Sequence, residues 1–156
     1  YPFYPGTGDA TEVGESEGAG YTVNVPLSAH GGDGEYRSAF ERILLPIAEA
    51  YAPELVLVSA GFDASARDPL AQMDLSDDAF GWMAQALAQV ADRSAGGRIG
   101  LVLEGGYDLV GLEGGLARAI EGMVLGEGYA MASAVAAGEI VRVKRALDGY
   151  WHAALT

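Results

Sequence analysis

The chain has 156 residues, half of them hydrophobic, and 22 acidic against 9 basic side chains give a formal net charge of −13. That length suffices for one packed domain, and the surplus of carboxylates repels phosphate backbones, which sets nucleic-acid binding aside and favours cationic partners. Cysteine is absent, so disulfides and thiolate metal sites are excluded, and no apolar run approaches the roughly 20 residues of a membrane span.

Residues 1–20 are rich in glycine and acid ("YPGTGDATEVGESEGAG") and predict a loop. Asp9, Glu12, Glu15 and Glu17 within it do not have the spacing of a calcium loop and are expected to be solvated. Tyr21 to Leu27 alternates as a short strand would. Tyr36, Phe40, Ile43, Leu44, Ile47 and Tyr51 then fall on one helical face, and Pro46 among them predicts a kink or local break. Leu55 to Ala60 is continuously apolar, the pattern of a strand covered on both faces. Ser76 is a candidate N-cap, with Asp77 and Asp78 in the first turn of a helix whose stripe is Phe80, Met83, Leu87 and Val90. Gly96 and Gly97 end it, and Ile99 to Leu103 predicts another strand. A helix follows through Leu112, Leu116, Ile120 and Met123, and the last runs from about Glu139 to Leu155.

Strands alternating with helices imply a parallel sheet joined by right-handed crossovers, with its site beyond the carboxyl ends of the strands. Two such ends carry polar punctuation, "GFDA" and "EGGYD", so Asp63 and Tyr107 are expected to share one crevice. Taken alone, Asp63 could equally cap its turn, and Tyr107 could be a packed loop aromatic. Asp68 beside Pro69 reads as a turn residue and Glu104 as a structural strand end. His30 is expected in an exposed turn and His152 on a helix surface, as are Arg142, Lys144 and Arg145.

Three motifs in series, "FYPGTG" (Phe3 to Gly8), "SAGFDA" followed by "DPL" (Ser59 to Leu70) and "LEGGYDL" (Leu103 to Leu109), resemble the zinc-dependent histone deacetylase family. The likeness is strongest to class II and to bacterial acetylpolyamine amidohydrolases and acetoin-utilisation proteins. It extends through "RVKRALDGYWHAAL" near the end of the chain. The resemblance implies a three-layer α/β/α, arginase/deacetylase-like fold, with residues 1–156 forming the C-terminal part of a single domain. It implies hydrolysis of acetylated amines, either acetyl-lysine or acetylpolyamine. By the same resemblance Asp63 is a zinc ligand, and Tyr107 donates a hydrogen bond to the substrate carbonyl. Tyr4, Leu70, Gly105 and Gly106 would line the substrate channel, the glycines letting substrate backbone approach. The backbone carbonyl of Tyr21 would help hold a structural potassium or sodium ion.

A catalytic zinc takes about three protein ligands plus water. The family's upstream Asp-x-His ligands and paired catalytic histidines have no counterpart here, since His30 and His152 match neither position. The expectation is therefore a chain inactive by itself, completed by an N-terminal half or by another copy. The alternative is a non-catalytic, truncated module with a scaffold or interaction role. An exposed sheet edge is expected to drive oligomerisation. The lack of cysteine and of a signal peptide fits a reducing cytoplasm.

Overall fold

The computed structural model describes residues 5–126, 129, 132–136 and 138–156. Helix α1 (Asp33–Ala39) opens after a glycine turn, with the Glu35 carboxylate accepting the Gly32 N–H at 3.0 Å. It passes through a π-helical turn, Phe40–Leu44, into α2 (Leu45–Tyr51) without leaving helical backbone angles. The break expected from Pro46 is thus a local widening: the helix continues through the ring, and the π-helical turn just before it accommodates the missing N–H and the bulk of the pyrrolidine. Ala52 then ends the helix in the left-handed conformation at φ 53°.

Strand β1 (Val56–Ala60) pairs in parallel with β2 (Ile99–Leu103), from Val56 against Ile99 to Ala60 against Leu103. Between them runs α3 (Asp77–Ser94), capped as expected by Ser76, whose hydroxyl accepts the Ala79 N–H at 3.2 Å. Asp33 reinforces this cap from α1, accepting both the Ser76 N–H and its hydroxyl. After β2 come α4 (Leu109–Leu125) and α5 (Gly138–Leu155).

Two apolar clusters result. One joins α1, α2 and α5 through Ile43, Ile47, Ile140, Val143, Leu147 and Leu155, with Ala10 beneath. The other joins one sheet face to α3 and α4 through Ala60, Phe62, Leu75, Phe80 and Ala119. The contact between α3 and α4 differs from expectation. The buried positions of α4 are Gly111, Gly115, Ala119 and Gly122, while Ile120 is exposed. A side chain on Gly122 would run into the Gly81 backbone, and one on Gly115 would lie 2.8 Å from Phe62 and 3.0 Å from Phe80. The helices approach so closely that glycines form the tightest part of the seam, while Leu112, Leu116 and Met123 of the expected stripe pack against the same cluster.

Two further expectations fail. Residues 21–27 form no strand, because no described segment offers them a ladder partner. β1 is covered on one face only: Val58 and Ala60 pack inward, whereas Leu57 is 69% exposed and Ser59 and Val102 share its open face. Among the described residues no helix is long and apolar enough to cross a membrane.

Candidate functional site

The parallel ladder continues past both strands. Glu104 N–H donates to Ala60 O at 3.0 Å, and Phe62 N–H donates to Gly105 O at 2.8 Å. The "GFDA" and "EGGYD" loops are therefore stitched together at the carboxyl end of the sheet, bringing Asp63 beside the turn that carries Tyr107. The Asp63 carboxylate lies against that turn's backbone. A Cβ on Gly105 would fall 2.9 Å from its Cγ, and one on Gly61 would fall 2.7 Å from its Oδ1. These glycines form a cradle that any side chain would fill. The turn after Asp63 is closed by backbone atoms, with Ser65 N–H donating to Phe62 O at 3.2 Å, so the capping role is taken without the carboxylate.

Gly106 reaches φ 134°, a conformation side chains rarely adopt, and a Cβ there would press on Leu112 and Phe62 at 3.1 Å. The next residue, Tyr107, is 63% exposed. Asp108 then caps α4, its carboxylate accepting the Gly111 N–H at 2.7 Å. A strand, a glycine pair, an exposed phenol and a helix start thus occupy consecutive positions.

Asp68 does more than turn the chain. Its Oδ1 accepts the N–H groups of Leu70 (2.8 Å) and Ala71 (3.3 Å), while Oδ2 accepts the Tyr107 N–H at 2.8 Å. Desolvation raises its pKa, but these bonds, with one from the Asp108 N–H, outweigh it and hold the carboxyl below the usual range. Leu70, 54% exposed, lies in the turn that Asp68 closes.

Tyr36 is a site neighbour that sequence periodicity assigned only to a helix stripe. With Phe40, Gly61, Phe62 and Asp63 it lines a cavity of about 290 Å³ beneath the loops. Burial first, and the Asp63 charge second, push its phenol up to about 12.

Tyr21 is not brought to this site. It packs edge-on against Tyr51 and Trp151, in the region of the α2–α5 cluster, and is 64% exposed. Tyr4 lies outside the described residues. His30 is exposed at φ 63° beside Asp74 (3.4 Å), and His152 pairs with Asp148 at 2.7 Å on the surface of α5. Among the described residues no group of three or more His, Cys, Asp or Glu could hold a metal. Asp63 is thus a single candidate ligand, and the described residues do not make a metal site by themselves.

The histone deacetylase domain model matches residues 1–123. The chain belongs to the histone deacetylase family. It is 45% identical over 126 residues to histone deacetylase 15 of Arabidopsis thaliana, covering 80% of this chain and 22% of that protein. It is 47% identical over 105 residues to the histone deacetylase-like amidohydrolase of Pseudomonas aeruginosa, covering 67% of this chain and 28% of that protein. Among solved structures it is similar to the HD domain of HDA15, with a TM-score of 0.84 at 39% identity, covering 97% of this chain and 41% of that one. The chain therefore has an arginase/deacetylase-like α/β fold, represented in part, and it spans under a third of the length of these two curated relatives. Membership in the family implies a metal cofactor.

Proposed function

We propose that this chain carries part of the active site of a zinc-dependent deacetylase that hydrolyses acetylated amines. The observation that supports this most directly is the pair of stitched loops, which bring the Asp63 carboxylate and the exposed Tyr107 phenol to one end of the sheet. A phenol is neutral and directional, suited to donating a hydrogen bond to an amide carbonyl oxygen as it gains charge. Asp63 offers one carboxylate to a metal whose other ligands come from outside the described residues. Leu70, Gly105, Gly106 and Tyr4 line the approach in this reading, and the Tyr21 carbonyl contributes to a monovalent-cation site. The substrate is an acetyl-lysine or an acetylpolyamine.

The chain works as part of a larger assembly, with an upstream half or with a second copy, in the cytoplasm. The open sheet face at Leu57 and Val102 supports this. So do the exposed apolar side chains Leu109, Val110, Val124 and Leu125 of α4. The absence of a three-ligand group among the described residues favours one alternative for the isolated chain, a non-catalytic module. The test is to supply the upstream half of a family domain in trans and assay release of acetate from an acetylated amine. Restored turnover that falls about 10²–10³-fold on Tyr107→Phe would support the enzyme reading. Continued silence despite a formed complex would support the module.

A further inference from the structure

We infer that Asp68 is a positioning residue that locks the Tyr107 turn to the Leu70 rim, so that phenol and rim hold a fixed separation. The inference deepens the proposed function, since it assumes that Tyr107 faces substrate.

Three hydrogen bonds carry it. One carboxylate spans two loops that are 39 residues apart in sequence, accepting Leu70 and Ala71 N–H on Oδ1 and Tyr107 N–H on Oδ2. The Leu70 and Ala71 bonds are local and would shape the "DPL" turn in any case. The Tyr107 bond is not local, and a turn needs no such partner. It takes hold of the backbone at the one residue that follows Gly106, where a φ of 134° leaves the chain without steric guidance. Sheet bonding cannot serve there, because the last ladder bond from this loop is made by Gly105 O. Beyond that point Asp68 is the cross-loop polar anchor of the Tyr107 backbone, with Asp108 and α4 fixing the chain on the far side. A charged acceptor makes these bonds stronger than neutral ones, in keeping with the depressed pKa of its carboxyl. Neither Asn nor Ala reproduces the arrangement: an amide has one acceptor oxygen for two sets of donors, and alanine has none.

The experiment uses the full chain labelled with ¹⁵N-tyrosine and ¹⁵N-leucine, with the Tyr107 amide assigned by its altered resonance in Tyr107→Phe. Wild type, Asp68→Asn and Asp68→Ala are compared by amide hydrogen exchange and amide proton shift, with the amide of Leu87, in the middle of α3, as internal control. The expected result is a graded one. Tyr107 exchange accelerates on the order of tenfold or more in D68A and less in D68N. The Tyr107 amide proton moves upfield in the same order, and Leu87 is unchanged. A general loss of structure would move Leu87 as well, and the amide shift, measured in the folded population, then still reads the bond. Tyr107 protection and shift that stay at wild-type values in D68A would overturn the inference. The assay of the reconstituted enzyme separates this from the parent reading. If D68A frees the Tyr107 amide but Tyr107→Phe leaves turnover intact, the anchor stands and the assigned role of Tyr107 falls.

Discussion

Gly122→Ala, set beside Gly149→Ala, tests the α3–α4 seam with one chemical change made in two helices. In an open helical position, Gly→Ala stabilises by roughly 0.5–1 kcal/mol because it removes backbone freedom from the unfolded chain. Gly149 is such a position, with nothing within 4 Å of a Cβ placed there. At Gly122 the same methyl would lie 3.0 Å from the Gly81 carbonyl carbon, 3.3 Å from Gln85 N, and well inside the contact shell of the Gly81 oxygen. All are backbone atoms, so no side-chain rotation relieves the overlap and the helices must part. Overpacking costs about 1–3 kcal/mol, occasionally more. Separation would also loosen Gly115 from Phe62 and Phe80, so a cost near the upper end is expected. Subtracting the propensity gain leaves a net loss of about 2 kcal/mol. For a domain of this size that corresponds to a fall of about 4–8 °C in Tm, against a rise of about 1–4 °C for G149A. Differential scanning calorimetry reads both. A G122A chain that melts at or above wild type would refute the close crossing, and with it the account of why α4 buries glycines.

Alkaline titration probes Tyr36. Its folded pKa of about 12 lies above the ordinary phenol value of about 10, so the folded state keeps a proton that the unfolded state gives up. Stability from this group is complete below pH 10 and is lost as pH rises toward 12, by about 2–3 kcal/mol. Comparing alkaline unfolding with Tyr36→Phe should show the variant losing less over that window, and parallel curves would discount the buried phenol. Sedimentation of the purified chain should give a dimer or larger species, reflecting the open sheet face; a monodisperse monomer at micromolar concentration counts against it.

Much of this was legible in the sequence. The Ser76 cap, the Gly96–Gly97 stop and both strands lie where local chemistry places them, because each depends on neighbours a few residues away. The convergence of Asp63 with the Tyr107 turn follows from parallel topology, since strands laid side by side end side by side. What periodicity missed depends on distance in space. Glycines at 111, 115 and 122 carry no hydrophobic signal, yet they are the buried face of α4. "YTVNVPL" has the alternation of a strand but no ladder partner among the described residues. Asp68 looked like an ordinary turn former because its third bond reaches 39 residues away. Tyr36 took its place in a helix stripe, and only the cavity shows that the stripe reaches Asp63.

Trp151 has a consequence for the order in which the molecule assembles. Helix α5 kinks at this residue, whose indole N–H donates to Gly20 O at 2.7 Å across 131 residues of chain. Tyr150 fills the space that a side chain on Gly20 would take, and the Tyr21 ring rests edge-on against the indole. The loop at Gly20 is made early and held late. A contact of such long sequence separation forms only after the intervening chain has condensed, since closing so large a loop costs entropy before it returns any contact. During synthesis the local bonds of this segment, Gly20 N–H to Val13 O and Tyr21 N–H to Gly18 O, can therefore form early, whereas its tie to the indole must wait until Trp151 has left the ribosome.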